Sequence, residues 1–144
     1  MSSNKLLLDQ QLCFALYSTS LAMTKLYKPL LAEIGLTYPQ YLVMLTLWER
    51  DGILLKTLAD RLHQDSGALT PVLKRLEAEG YLVRRRGASD ERSLSLELTD
   101  AGRALQQKAL QVNQSVGTAC GLDNTEMNEL RTRLNTLRQR LEDD

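Results

Sequence analysis

The chain has 144 residues, 43% hydrophobic and 25% charged, which fits one globular domain able to bury roughly two-thirds of its unfolded surface without a metal or disulfide. No apolar run reaches the length of a membrane span, and the apolar stretch inside the opening MSSNKLLLDQQ is too short for a signal peptide, so a cytoplasmic location is expected. The net charge is zero, but from Lys56 to Arg92 eight bases meet six acids, whereas from Asp123 onward six acids meet four bases. A local basic excess suits a face that meets DNA, in at least two copies for useful affinity.

In chain order, a helix is expected from about Asp9 to Leu31, with Leu12, Leu16, Met23, Leu26 and Leu30 on one side and Phe14, Tyr17 and Leu21 on another. Two apolar faces fit either a helix packed against a second subunit or one buried around most of its circumference. After Gly35, Thr37-Tyr38-Pro39-Gln40 opens the next helix as a capping box, and Tyr41, Met44, Leu45 and Trp48 form its buried stripe. Asp51-Gly52 ends it, and Ile53 to Leu55 is read as a short connection.

Lys56 to Gly80 carries the pattern of two short helices. Leu58, Ala59 and Leu62 form one apolar face, Leu69, Val72, Leu73 and Leu76 the other, and Gln64 to Gly67 serve as turn and cap between them. On the second helix Ser66, Thr70, Lys74 and Arg75 are polar groups that a core does not need, which suits a helix presented to the major groove. A plain helical hairpin with a solvated face fits the same residues. Pro71 allows either a helix beginning there under a Thr70 cap or one that begins near Ser66 and bends; the Asp65-Ser66 cap and Leu69 favour the longer register.

The residues after Gly80 favour the DNA reader. Leu82 to Arg86 reads as a strand, Gly87 to Asp90 as a loop, and Ser93 to Leu98 alternates polar and apolar like a half-buried strand. A helix-turn-helix followed at once by an arginine-bearing hairpin, with Arg84, Arg86 and Arg92, is a winged helix whose tip can reach the minor groove. Thr99-Asp100 caps a long helix to about Gly117, and Gly117 to Gly121 is read as a break. The last helix starts at Asp123 with Glu126 three residues on. Its Met127, Leu130, Leu134, Leu137 and Leu141 form a coiled-coil-like seam, which packing between subunits or within one subunit would equally produce.

Asp90-Glu91-Arg92 followed by Leu98-Thr99-Asp100-Ala101-Gly102, set in this order of elements, resembles the MarR family of dimeric repressors. The resemblance implies a mainly α fold with a small β-hairpin wing, a winged helix-turn-helix in an obligate dimer whose N- and C-terminal helices form the interface. It also implies that Arg92 reaches the minor groove with Asp90 orienting it, and that Pro71 is tolerated in its helix. The chain is then expected to divide into an N-terminal dimerisation and sensor helix (1–36), the winged helix-turn-helix (37–100) and C-terminal dimerisation helices (101–144), within one compact domain. Leu12 to Ser18, Lys25 to Leu30 and Leu36 to Tyr41 further resemble the OhrR branch of that family, which senses organic hydroperoxides.

Cys13 lies in the first turn of its helix, where backbone donors and the helix dipole favour a thiolate, and hydroxyls of Tyr27 and Tyr38 are candidates to hydrogen-bond it. Attack on a peroxide would give a sulfenic acid at Cys13. In two-cysteine members of the branch the resolving thiol comes from the other subunit, which implies a bond from Cys13 to Cys120 of the partner. The expectation is a non-enzymatic repressor on palindromic double-stranded operator DNA, released by an organic hydroperoxide. The alternative is a repressor released by a small aromatic ligand near Tyr17, Tyr27 and Tyr38, with structural cysteines. No cofactor is expected; His63 is read as a surface residue and no metal-ligand spacing is present.

Overall fold

The computed structural model describes residues 5–87 and 93–143, and its contacts gather into two compact units, Met1–Val112 and Asn113–Asp144. Among the described residues there are six α-helices and a three-stranded antiparallel sheet of order β1-β3-β2. None of the helices is long and apolar enough to cross a membrane.

The first unit begins with a 3-10 turn, Leu8–Gln10, so helix α1 (Leu12–Ala32) starts later than Asp9. The side-chain amide of Gln11 donates back to the carbonyls of Lys5 (2.6 Å) and Leu7 (3.1 Å), tying down the segment ahead of the helix. Helix α2 (Tyr38–Glu49) has the expected capping box: the Thr37 hydroxyl accepts from Gln40 N at 3.3 Å, and Thr37 N donates to Gln40 Oε1 at 2.9 Å. Tyr41, Val43, Met44 and Leu47 are buried, whereas Leu45, expected in the stripe, is 41% exposed. α2 is surrounded by several elements rather than packed along one line, so a single stripe understates its buried side.

Strand β1 (Ile53–Leu54), read from sequence as a connection, pairs with β3 (Ser95–Leu98), Ile53 opposite Leu96. Between them in sequence come α3 (Leu55–Leu62), α4 (Ser66–Ala78) and β2 (Leu82–Arg85), which pairs with the other edge of β3, Leu82 opposite Leu98. Helix α4 does begin at Ser66 and contains Pro71. The turn before it is shorter than expected. His63, in the left-handed region at φ 56, closes α3, and Ser66 and Gly67 are already helical.

Leu31, Met44, Leu58, Leu73, Leu76 and Leu96 are fully buried in the core of this unit. Each contributes roughly 1.5–3 kcal/mol by leaving water, before chain entropy is counted.

The winged portion is joined firmly to the start of α5 (Asp100–Cys120). The Thr99 hydroxyl donates to Gly80 O at 2.6 Å and accepts from Gly102 N at 3.1 Å, while Thr99 N donates to Tyr81 O at 3.1 Å. The Trp48 indole donates to Gly102 O at 2.9 Å. Asp51 Oδ1 accepts from Leu98 N at 2.8 Å, and its other oxygen lies 3.6 Å from the Arg103 guanidinium. Gly102 sits so close to Tyr81 that a Cβ there would fall 2.1 Å from the Tyr81 carbonyl oxygen.

In the second unit α5 runs on through Gly117 to Cys120, so the break expected at residues 117–121 reduces to its last residue, Gly121, at φ +67. A helical glycine costs about 1 kcal/mol relative to alanine, which a long helix tolerates; the left-handed stop is what a glycine is needed for. Helix α6 (Asn124–Glu142) follows, and Asp123 and Glu126 form its capping box at 2.8 and 3.1 Å. None of its residues is buried, and Leu130, Leu134 and Leu141 are exposed.

Candidate functional site

Helix α4 buries Leu69, Leu73 and Leu76 against the core and so turns Lys74 and Arg75 to solvent, with Ser66 and Thr70 half-buried at its edge. The Thr70 hydroxyl donates to Ser66 O at 3.2 Å, which leaves its lone pairs as acceptors. These four side chains share the helix that the sequence assigned to the major groove. The arrangement offers cations and hydroxyls on an exposed helix whose opposite side is fixed by leucines, the elements of a groove reader.

The three consecutive arginines separate into different roles. Arg84 turns back to α4: its Nε donates to Glu77 Oε1 at 3.0 Å, Nη2 lies 2.9 Å from the same oxygen, and its backbone N–H donates to Glu77 Oε2 at 3.2 Å. Arg84 is therefore a strut between α4 and β2. The backbone N–H of Arg84 is the main cause that holds the Glu77 carboxyl below its ordinary value; the guanidinium adds to it and partial desolvation opposes it. Arg85 pairs across the sheet with Glu97 at 2.5 Å, and Arg86 is exposed at the end of the strand. Asp90 and Arg92, and the rest of the expected loop, lie outside the described residues.

Cys13 is the second residue of α1 and is exposed; Cys120 is the last residue of α5, half-buried, and belongs to the second unit. Tyr27 and Tyr38 form a ring pair with centroids 5.0 Å apart, and Tyr41, expected in the buried stripe of α2 and not among the sensing residues, joins them at 5.5 Å from Tyr27. Burial raises the Tyr38 phenol above 10.0; burial, then the neighbouring Tyr38, does the same to Tyr41. Both remain neutral hydrogen-bond donors at neutral pH.

The helix does not bring Cys13 to these rings. Fourteen residues of one unbroken helix separate Cys13 from Tyr27, and at about 1.5 Å per residue that is about 21 Å. The same helix leaves Leu12 61% and Tyr17 64% exposed, with Leu21 also open, and buries Leu31 alone. Beside Tyr38 a largely apolar cavity of about 330 Å³ is lined by Thr24, Lys28, Ala32, Leu36, Tyr38 and Pro39. Among the described residues no group of three metal-ligating side chains is assembled.

Residues 25–109 match the family described as transcriptional regulator SarA/Rot. The chain is 44% identical over 137 residues to the organic hydroperoxide resistance transcriptional regulator of Bacillus subtilis (strain 168), covering 93% of this chain and 91% of that protein. Among solved structures it is similar to reduced AbfR bound to DNA, with a TM-score of 0.81 and 37% identity over 99% of this chain and 97% of the other. It also matches the disulfide-formed AbfR, with a TM-score of 0.65 and 38% identity over 99% and 94% of the two chains; AbfR comes from Staphylococcus epidermidis. These relatives are regulators of transcription rather than enzymes, and their winged-helix fold is the one described above.

Proposed function

This chain belongs to the MarR/SarA-type family of winged-helix, DNA-binding transcriptional regulators, and from that premise we propose that it is a homodimeric repressor switched off DNA by organic hydroperoxides. The observation that carries the reading is the exposed thiol of Cys13 at the start of a helix whose first half leaves Leu12, Leu16, Tyr17 and Leu21 exposed. A helix of that length with one buried residue calls for a partner, and a second copy also answers the distance problem. Cys13 is about 21 Å from Tyr27 of its own chain, so in this reading it meets Tyr27 and Tyr38 across the dimer. The expected palindromic operator follows from a twofold dimer presenting two α4 helices about one DNA turn apart. Such a complex forms in the cytoplasm, where operator DNA is.

In the proposed chemistry the Cys13 thiolate attacks the outer oxygen of ROOH, the O–O bond breaks, and the departing alkoxide takes a proton to give ROH and Cys13 sulfenic acid. The Cys120 thiol of the second subunit then attacks the sulfenic sulfur, expelling water and leaving a disulfide. AbfR, as solved in a reduced DNA-bound form and in a disulfide form, gives this sequence a precedent in a relative. DNA contacts are assigned to Ser66, Thr70, Lys74 and Arg75 on α4 and to Arg86 on the wing. Asp90 and Arg92 complete the proposed set on the family pattern, and Arg84 acts through Glu77 as a strut.

A gel shift on promoter DNA with and without cumene hydroperoxide tests the reading, with non-reducing electrophoresis alongside. Wild type should leave DNA and form a linked dimer, and Cys13→Ser should stay bound. Release of Cys13→Ser by peroxide would remove the redox switch. Normal release of Cys120→Ser without an added thiol would remove only the disulfide step. The apolar cavity beside Tyr38 favours a second reading, release by a small aromatic ligand. Dissociation of Cys13→Ser by a panel of aromatic acids would select it.

A further inference from the structure

Two residues of α4 are poor choices for a helix, and the protein's own fold gives no reason for either. Gly67 is exposed and helical, its φ is not among the positive ones, and a Cβ added there would meet nothing within 4 Å. Neither backbone conformation nor packing asks for glycine, which costs up to about 1 kcal/mol against alanine in a helix interior and less in the first turn, where Gly67 sits. Pro71, also exposed, follows four residues later on the same face, beyond the first turn where proline is harmless. Having no N–H, it cannot donate the ladder bond that would close on the Gly67 carbonyl. The Thr70 hydroxyl does not substitute, because it goes to Ser66 O.

We propose that Gly67 and Pro71 together form a base-reading surface: the missing side chain lets a base edge approach the helix backbone, and the Gly67 carbonyl accepts a hydrogen bond from an exocyclic amino group. In the major groove those donors are adenine N6 and cytosine N4. The exposed cations of this helix are donors only, so Lys74 and Arg75 read guanine or phosphate and cannot serve an amino group. The one carboxylate within the helix, Glu77, is held by Arg84. Within the helix an acceptor for adenine or cytosine therefore comes from a hydroxyl or from the backbone, beside the exposed Asp65 carboxylate at the N-cap, and the backbone offers one where Gly67 precedes Pro71.

The inference rests on α4 being the helix that enters the major groove, and the test separates the two. The duplex is one selected from a random pool by the reduced wild-type protein, and Gly67→Ala, Pro71→Ala and Lys74→Ala are compared for affinity and melting temperature. Gly67→Ala should melt at or above the wild-type temperature and yet bind the duplex about tenfold or more weakly. Pro71→Ala, which returns an N–H to the carbonyl, should keep its stability and lose discrimination at one adenine or cytosine in a base-substitution scan. Wild-type affinity in Gly67→Ala, with Lys74→Ala weakened, overturns the inference and leaves the α4 reading standing. Wild-type affinity in all three overturns both. A lowered melting temperature in Gly67→Ala would place its role in packing and overturn the inference as well.

Discussion

Replacing Gly102 by alanine should cost stability, although the same change in an ordinary helix would add it. The new Cβ would lie 2.1 Å from the Tyr81 carbonyl oxygen, 3.1 Å from its carbon and 3.3 Å from a Leu98 methyl. The nearest of these is a backbone atom in a turn, so α5 and the Gly80-Tyr81 turn must separate by about 1 Å to restore contact distance. Three bonds cross that gap or depend on it: Thr99 N to Tyr81 O at 3.1 Å, the Thr99 hydroxyl to Gly80 O at 2.6 Å, and the Trp48 indole to Gly102 O at 2.9 Å. At about 1 kcal/mol each they total about 3 kcal/mol. Alanine returns about 1 kcal/mol of helix propensity, so the net loss is about 2 kcal/mol, equivalent to about 4–8 °C in Tm for a chain of this size. Urea unfolding followed by circular dichroism measures it, and the single tryptophan gives a local reading at the joint itself. Trp48→Phe combined with Gly102→Ala should be less damaging than the sum of the two, since both remove the same bond. A Gly102→Ala protein as stable as wild type, with unchanged tryptophan emission, would refute the reasoning.

Glu77→Gln should destabilise by about 0.5–1 kcal/mol at neutral pH, a figure kept small because the Glu77 side chain is 35% exposed and the pair is screened. The folded-state carboxyl titrates below its ordinary 4.5, so its contribution is complete above that pH and disappears as pH falls through the lowered value. Urea midpoints of the two proteins should accordingly draw together as pH falls below 4.5, and a gap that widens on acidification would deny the ion pair. At the other end of the scale, Tyr38 and Tyr41 ionise above 10.0 in the folded chain, so stability should decline once the unfolded chain begins to form phenolates and folded rings resist. Phenolate absorbance should show a late-rising component that Tyr38→Phe diminishes; an unchanged curve in that variant would contradict the burial.

The features legible in the sequence were those written in neighbouring residues. Both capping boxes, Thr37 with Gln40 and Asp123 with Glu126, join residues three apart and appear in the fold as expected. The alternation from Ser95 to Leu98 and the start of α4 at Ser66 were equally local. Strand β1 was missed because two residues carry no period, and its identity comes from pairing with Leu96 and Ser95, some forty positions away. The expected break at Gly117 failed for a related reason: a glycine marks a helix end only where the backbone turns left-handed, and that happens at Gly121. Arg84 looked like one of three outward cations, and only folding brings Glu77 against it. The thiol was legible near a helix start, and so was its distance from Tyr27, since the one continuous helix expected from about Asp9 to Leu31 holds both residues and already sets them about 21 Å apart.

That continuity has a genetic consequence. In the proposed dimer each sensing centre would borrow its thiol from one chain and its phenols from the other, because α1 holds Cys13 and Tyr27 too far apart to share. A Cys13→Ser chain and a Tyr27→Phe chain would each form a blind homodimer. Their mixed dimer would contain one centre with both lesions and one with neither. Two defective alleles in one cell would then complement each other and restore half the centres in every hybrid, a pattern that a sensor built within a single chain could never give.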